Sequence, residues 1–450
     1  MRLRVLRRFM LIRLAISFVF DYWKINRLNR RLSGEEREKA VNRVCEKAGK
    51  RMRETAFRLK GIIVKVGQFL SMRQDVLPGA FIKELSDLQD ALPAEDFQTI
   101  RPYIEKELTQ TIDEVFQSFE GHAVAAASLA QVHRAVLRDG TKVAVKILRP
   151  KMEELAQADL DTLGLIAKVT QRFPRLGRKM NFVLLHREFT ETIQLELNGF
   201  SESKHLQRFA GMFINDDSIV IPKVVDRLTT RRLIVMEYME GAKVTDDRQL
   251  SEWKIDRKEA ARTVLEAYLQ QFLIHGFIHV DPHPGNLLIL PGNRIGFLDF
   301  GMVDVLTEEE VSILRNLLQN IVFQNPDGIL AAFERLGFLV QDSDYGQLKP
   351  VINHMLERLN GTPENQETPE LDTVVAGLKS FLHNQSFQLQ AKYMFLIRAI
   401  GILVSTLALI APRNDWMAML YDVVPSVMSS SHKERRSVND HDGRNNANLL

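Results

Sequence analysis

A chain of 450 residues has room for more than one domain, and 45% hydrophobic with 26% charged residues is a globular composition, not a disordered or fibrous one. Its single cysteine, Cys45, excludes an internal disulfide framework and a cysteine-based metal cluster. The formal charge is +3, yet residues 1 to 31 hold eight arginines and one lysine against Asp21, a local +8 that leaves −5 elsewhere, so nucleic acid is not an expected partner.

Residues 1–32 read as a basic amphipathic segment, RLRVLRRFMLIRLAISFVFDYWKINRL. Its longest uncharged run, residues 14–20, is seven long, where a spanning helix needs about 20. Arginines beside Tyr22 and Trp23 predict a helix lying in the surface of an anionic membrane. An Arg-rich targeting peptide and a helix packed on its own domain are the alternatives. Residues 33–120 read as helix throughout, punctuated by Pro78, Pro93 and Pro102. In residues 121–148, VHRAVLRDGTKVAVKIL is two strand-forming runs around Asp139-Gly140, a hairpin signal. Helical periodicity returns over 150–210, and strands are expected at 218–225 and 231–238 before Gly241 breaks the chain. From residue 255 the pattern is helical except for short strands beside two motifs described below. Residues 361–370 read as a polar loop, and residues 399–411 as a buried core helix too short to span a membrane. No transmembrane segment is expected. Residues 429–450 are too polar to offset their ordering entropy and are expected to be disordered. The order predicts an α+β, two-lobed protein-kinase-like fold: a helical extension over 33–120, an N-lobe over 121–240 and a helical C-lobe over 241–428.

The chemistry concentrates in HVDPHPGNLLIL, residues 279–290, and GFLDFGMV, residues 296–303. The first sets Asp281 five positions before Asn286, and the second contains Asp299-Phe300-Gly301. Kinase-type phosphoryl transfer uses a carboxylate near the acceptor hydroxyl, an Asn on a metal and a DFG aspartate that bridges Mg2+ to the phosphates. Asp281 is therefore the candidate base or water-orienting carboxylate, and Asn286 and Asp299 are the candidate metal ligands. His279, Asp281 and His283 alternate as metal ligands could, but His279 reads better as ordering the loop, with His283 shaping it between Pro282 and Pro284.

Lys146 stands in the apolar strand VAVKIL, where its charge is costly without a partner. In kinases such a lysine holds the α and β phosphates of ATP and pairs with a helix glutamate. Glu188, Glu191, Glu196 and Glu202 are the candidates, Glu196 and Glu202 lying nearest the following strands. No G-x-G-x-x-G precedes Lys146. Ala125, Ala126, Ala127 and Ser128 stand in its place, and small residues let backbone amides approach phosphates. Upstream, KVGQFLSMRQDVLP, residues 65–78, sets Lys65 and Gln68 on one helix face.

Together these residues resemble the UbiB family, the aarF-domain-containing (ABC1-type) atypical kinases, over roughly residues 35 to 410. Lys65-Val66-Gly67-Gln68 matches its K-x-G-Q signature, AAASLAQVHRA its Ala-rich loop, VAVKIL its lysine strand, and HVDPHPGN with DFG its metal site. The resemblance implies an ATP- and Mg2+-dependent kinase or ATPase of peripheral membrane habit, cytoplasmic or organellar. Membrane lipids, isoprenoid-quinone intermediates or enzymes of their biosynthesis are the implied partners. It implies that Lys65 and Gln68 reach the nucleotide site, with Lys65 near Asp299 or Glu196, and that the K-x-G-Q helix occludes the protein-substrate groove. It also implies Glu202 as the Lys146 partner. The family's E-x-D appears here as Glu196-Leu197-Asn198, one negative charge short. The pair of C-terminal transmembrane helices of some members is not expected. The rival readings are a pseudokinase scaffold that binds nucleotide and lipid without turnover, and a protein serine/threonine kinase.

Overall fold

The computed structural model describes residues 2–71, 77–85, 88, 93–172, 181–339, 345–359, 391–412, 414–416 and 418–429. The chain divides into two units, Met1–Gln207 with Lys223–Tyr238, and Arg208–Pro222 with Met239–Leu450.

The first unit opens with helices α1 (Arg2–Arg31), α2 (Gly34–Leu59), α3 (Ile62–Ser71), α4 (Gly79–Leu85), α5 (Phe97–Leu108) and α6 (Ile112–Val115). Thr111 and Glu114 form a capping box on α6. Strands β1 (Phe116–Ala126), β2 (Ala130–Leu137) and β3 (Lys142–Leu148) follow, then helices α7 (Met152–Gln171), α8 (Phe182–Glu196) and α9 (Gly199–Met212). After β4 (Ile219–Val220), which belongs to the second unit, β5 (Leu233–Glu237) completes an antiparallel sheet of order β1-β2-β3-β5. The β2–β3 hairpin turns at Asp139-Gly140, with Asp139 Oδ1 accepting from Thr141 N at 2.9 Å.

Strand alternation then decides where Lys146 goes. Val143, Val145 and Ile147 enter the core made with Ile100, Ile104 and Leu108 of α5. Lys146, one residue out of phase, emerges on the opposite face of the sheet.

Helix α1 is fastened by charge. Arg7 is 5% and Asp159 of α7 1% exposed. Arg7 Nε donates to Asp159 Oδ1 at 3.0 Å, Nη2 donates to Oδ2, and Nη1 donates to Leu59 O at 2.5 Å. Leu11 and Leu14 are buried beside this anchor. Val5, Phe9, Ile12, Ile16, Phe20 and Trp23, spaced three and four apart, remain exposed along the helix.

The second unit carries a sheet of order β4-β9-β8-β6, built from β4, β6 (Ala242–Lys243), β8 (Leu287–Leu290) and β9 (Arg294–Phe297). The pair β7 (Phe277–His279) and β10 (Val303–Val305) lies apart from it in hydrogen bonding. Its helices are α10 (Asp247–Glu252), α11 (Arg257–Gln270), α12 (Glu308–Val322), α13 (Pro326–Arg335), α14 (Tyr345–Leu359) and α15 (Ala391–Ile410). Among the described residues no helix is long and apolar enough to cross a membrane.

Two expectations need correction. Helix was expected through residue 120, but β1 begins at Phe116 and runs through Ala125 and Ala126. Its register shifts between Phe116 and Ser118, Phe119 and Ala123, and Ala123 and Ala125, so bulges erase the alternation that marks a strand. The strand expected over 218–225 shrinks to two residues of parallel pairing, since Pro222 offers no amide to a ladder. The polar loop at 361–370, residues 72–76 of the K-x-G-Q stretch and tail residues 430–450 lie outside the described residues.

Candidate active site

In the first unit Lys146 Nζ donates to Glu202 Oε1 at 2.6 Å, so α9 supplies the partner that an apolar strand demands. Both side chains are largely buried, which strengthens the pair and fixes the ammonium. Glu196, the nearest competitor, instead holds Lys65 at 3.2 Å. The K-x-G-Q residues thus have separate duties on α3. Lys65 pairs with α8, and Gln68 Nε2 donates to Leu88 O at 2.9 Å. Gly67 leaves the space that the Leu88 side chain fills, which a Cβ would obstruct.

Ala125 and Ala126 end β1, and Ala127, Ser128 and Leu129 form the turn into β2, Ala127 N donating to Ala130 O at 2.9 Å. Arg149 grips this turn. Its Nε donates to Ala127 O at 3.0 Å, Nη1 pairs with Glu95 at 3.0 Å and Nη2 donates to Pro93 O at 2.9 Å. Gln131 adds a second tie, accepting from Glu95 N at 2.8 Å and donating to Glu95 O at 3.2 Å. His133 Nδ1 lies 2.8 Å from Glu120 O; a carbonyl only accepts, so Nδ1 carries the proton and Nε2 accepts from Gln131. Burial holds that imidazole below its ordinary pKa. Ser128 is fully buried and its hydroxyl has no hydrogen-bond partner among the described residues.

In the second unit α11 continues into a wide turn, Gln271–His275, and Gly276 at φ 57° redirects the chain into β7. A side chain at Gly276 would be strained there and would press on Leu306 O. Gln271 Oε1 then receives His279 N at 2.9 Å. His279 is enclosed by Tyr268, Phe209, Phe297 and the DFG phenylalanine, Phe300. Its Nε2 lies 2.5 Å from Asp299 O and its Nδ1 2.9 Å from Tyr268 OH. The carbonyl requires the proton on Nε2, so Tyr268 donates to Nδ1. Burial holds His279 below its ordinary pKa against the pull of Asp281 and Asp299, and burial, then Asp281, pushes the Tyr268 phenol well up. A neutral chain, Tyr268 to His279 to the Asp299 backbone, therefore ties the two motifs together. His279 is a positioning group, as its place in the sequence suggested.

Asp299 Oδ1 accepts from Gly301 N at 2.8 Å. Asn286 turns its amide nitrogen to Asp281, 3.0 Å from the backbone oxygen and 3.3 Å from Oδ2. Asn286 Oδ1 is thereby directed away from Asp281. His283 Nδ1 accepts from Gly285 N at 3.1 Å. Among the described residues no group of three or more His, Cys, Asp or Glu could hold a metal.

Four residues had no signal in the sequence. Arg149 acts on the backbone of Ala127 and Pro93 and on Glu95, 54 residues before it, and Tyr268 acts through a neutral hydroxyl. Arg398 reaches Asp281 Oδ1 at 3.3 Å, and Thr406 donates to Pro282 O at 2.7 Å, both across more than a hundred residues.

Residues 87–333 match the ABC1 atypical kinase-like domain. The chain is 30% identical to the chloroplastic ACTIVITY OF BC1 COMPLEX KINASE 8 of Arabidopsis thaliana, over 89% of this chain and 56% of that protein. It is 33% identical to AarF domain-containing protein kinase 1 of Xenopus laevis, over 72% of this chain and 61% of that protein. The chain thus spans less than two thirds of either relative's length. Rv3197 of Mycobacterium tuberculosis, solved in complex with erythromycin, shares the fold at a TM-score of 0.53 with 23% identity, covering 84% of this chain and 93% of that one.

Proposed function

The chain belongs to the ABC1 atypical kinase-like family, and from that premise we propose that it binds Mg-ATP and transfers or hydrolyses its terminal phosphoryl group at a membrane surface. The observation that carries this reading is the largely buried Lys146–Glu202 pair, a fixed cation of the type that kinases place on the α and β phosphates. Ala127 and Ser128 form a turn of small residues that suits phosphate approach, and Arg149 keeps it in place. Asp299 and Asn286 offer the hard oxygen ligands that Mg2+ prefers, which suits an ion completed by nucleotide phosphates and water. Bound Mg2+ would neutralise charge on the transferring group. Asp281 would accept the proton of an acceptor hydroxyl, or orient a water, while the phosphoryl group leaves ADP for that oxygen.

The basic, aromatic α1 supports a peripheral membrane habit. The family resemblance supports a role in isoprenoid-quinone or related lipid metabolism, in an organelle or the cytoplasm. The rival is a scaffold that binds nucleotide without turnover. Mg-ATP turnover by the purified protein, with and without liposomes and quinone-headgroup analogues, separates them. Asp299→Asn tests the metal site: the variant should stay folded yet lose the thermal shift given by Mg-ATP. An unchanged shift would remove the assignment.

A further inference from the structure

Helix α15 makes two contacts with consecutive residues of the catalytic segment. Arg398 Nη2 lies 3.3 Å from Asp281 Oδ1, and Thr406 donates to Pro282 O at 2.7 Å. The hydroxyl contact is fully buried and fixes the helix against the loop. The ion pair is one-sided. A guanidinium commonly grips a carboxylate with two nitrogens, but Arg398 Nη1 is buried with no hydrogen-bond partner among the described residues. A buried, charged donor left in that state is costly unless another acceptor arrives. The segment from Asp281 to Asn286, DPHPGN, contains no lysine or arginine. Phosphoryl transfer spreads negative charge over the equatorial oxygens of the moving group, and a guanidinium there lowers the barrier.

We propose that Arg398 is a catalytic residue, a guanidinium supplied in cis by α15, with Nη2 holding Asp281 and Nη1 taking an oxygen of the terminal phosphoryl group of ATP. This rests on the nucleotide reading above. Arg398 neither gives nor receives a proton. The bond from phosphorus to the ADP oxygen breaks, the bond to the acceptor oxygen forms, and the acceptor's proton leaves by way of Asp281 or solvent.

The test uses the full chain and measures affinity for Mg-ADP alone and for Mg-ADP with aluminium fluoride, a mimic of the moving group. Wild type should bind the mimic more tightly than ADP. Arg398→Gln should keep its ADP affinity and lose about ten- to a hundredfold of the added affinity, the weight of one charge-assisted hydrogen bond. Arg398→Lys, which retains the charge should the glutamine variant misfold, should fall between the two. Tyr393→Phe removes the bond from α15 to Glu310 (2.7 Å) and should lower the melting temperature while the gain from aluminium fluoride persists. Equal weakening of ADP and its fluoride complex in Arg398→Gln, or no weakening of either, would make Arg398 a structural strut and overturn the proposal. A wild-type protein that binds no Mg-nucleotide would overturn the nucleotide reading and this one with it.

Discussion

Lys65 and Lys146 are two ammonium groups in the first unit; Lys65 pairs with Glu196 and Lys146 with Glu202. That division gives the K-x-G-Q lysine a structural anchor even with Asn198 in place of the family aspartate. Lys65→Ala should release α3 from α8; the expected outcome is an altered ATP-to-ADP preference or increased autophosphorylation, read by thermal shift and by labelled phosphate. A variant equal to wild type in both would leave Lys65 as the polar face of a structural helix. The histidines make a pH prediction. Burial depresses the folded-state pKa of both His133 and His279, so each stays neutral in the fold while the unfolded chain takes up a proton near pH 6.5. Their stability is complete above that value and is lost as pH falls toward the folded values, at up to about 1.4 kcal/mol per pH unit for each histidine. Denaturant unfolding between pH 7.5 and 5 measures this, and His279→Gln should flatten the slope. Lys146, Asp281, Asn286 and Asp299 were legible because each is defined by its immediate neighbours. Residue pattern alone did not separate Glu202 from Glu196, six positions apart; the family resemblance favoured Glu202, and the fold places it 2.6 Å from Lys146 Nζ.

At the scale of elements, the hairpin announced itself through Asp139-Gly140, whereas β1 was hidden by its bulges. Helix α15 looked like a core helix, and its apolar side is one: Ala399, Leu403 and Leu407 are buried. Its polar side was illegible because Arg398 and Thr406 meet partners more than a hundred residues earlier. Helix α1 had three readings in the sequence; its face around Arg7 packs on the first unit, while Val5, Phe9, Ile12, Ile16, Phe20 and Trp23 stay exposed along the other. The packed face carries a stability prediction. Asp159→Ala strands the Arg7 guanidinium and should cost about 3–5 kcal/mol in chemical denaturation. Arg7→Met with Asp159→Leu should recover most of it, because a buried pair is replaced more cheaply than it is broken. A single variant that costs nothing would mean that α1 is not held by this pair.

Across the whole molecule, charge and role are unevenly distributed. Residues 1–31 carry +8 of a total of +3, so the rest is acidic and has no electrostatic reason to approach an anionic bilayer. Removing residues 1–31 should therefore abolish sedimentation with anionic liposomes, and rising salt should weaken it in the full chain, since each basic residue near such a surface contributes about 1 kcal/mol. Equal sedimentation of both forms would end the anchor reading. Each of the two units has its own sheet and helices, but Arg208–Pro222, expected in the N-lobe, belongs to the second unit, and two strands of that unit's sheet, β4 and β6, have only two residues each, too short for pattern reading. The Arg7 anchor has a consequence for how such a protein would work on lipid. A flexible leader of 30 residues, the length of α1, would let its cargo wander over about 30 Å. A leader fastened to α7 and Leu59 permits no such wandering. The first unit would sit on the bilayer with one footprint and at one height, and its encounters with membrane-borne molecules would become a two-dimensional search.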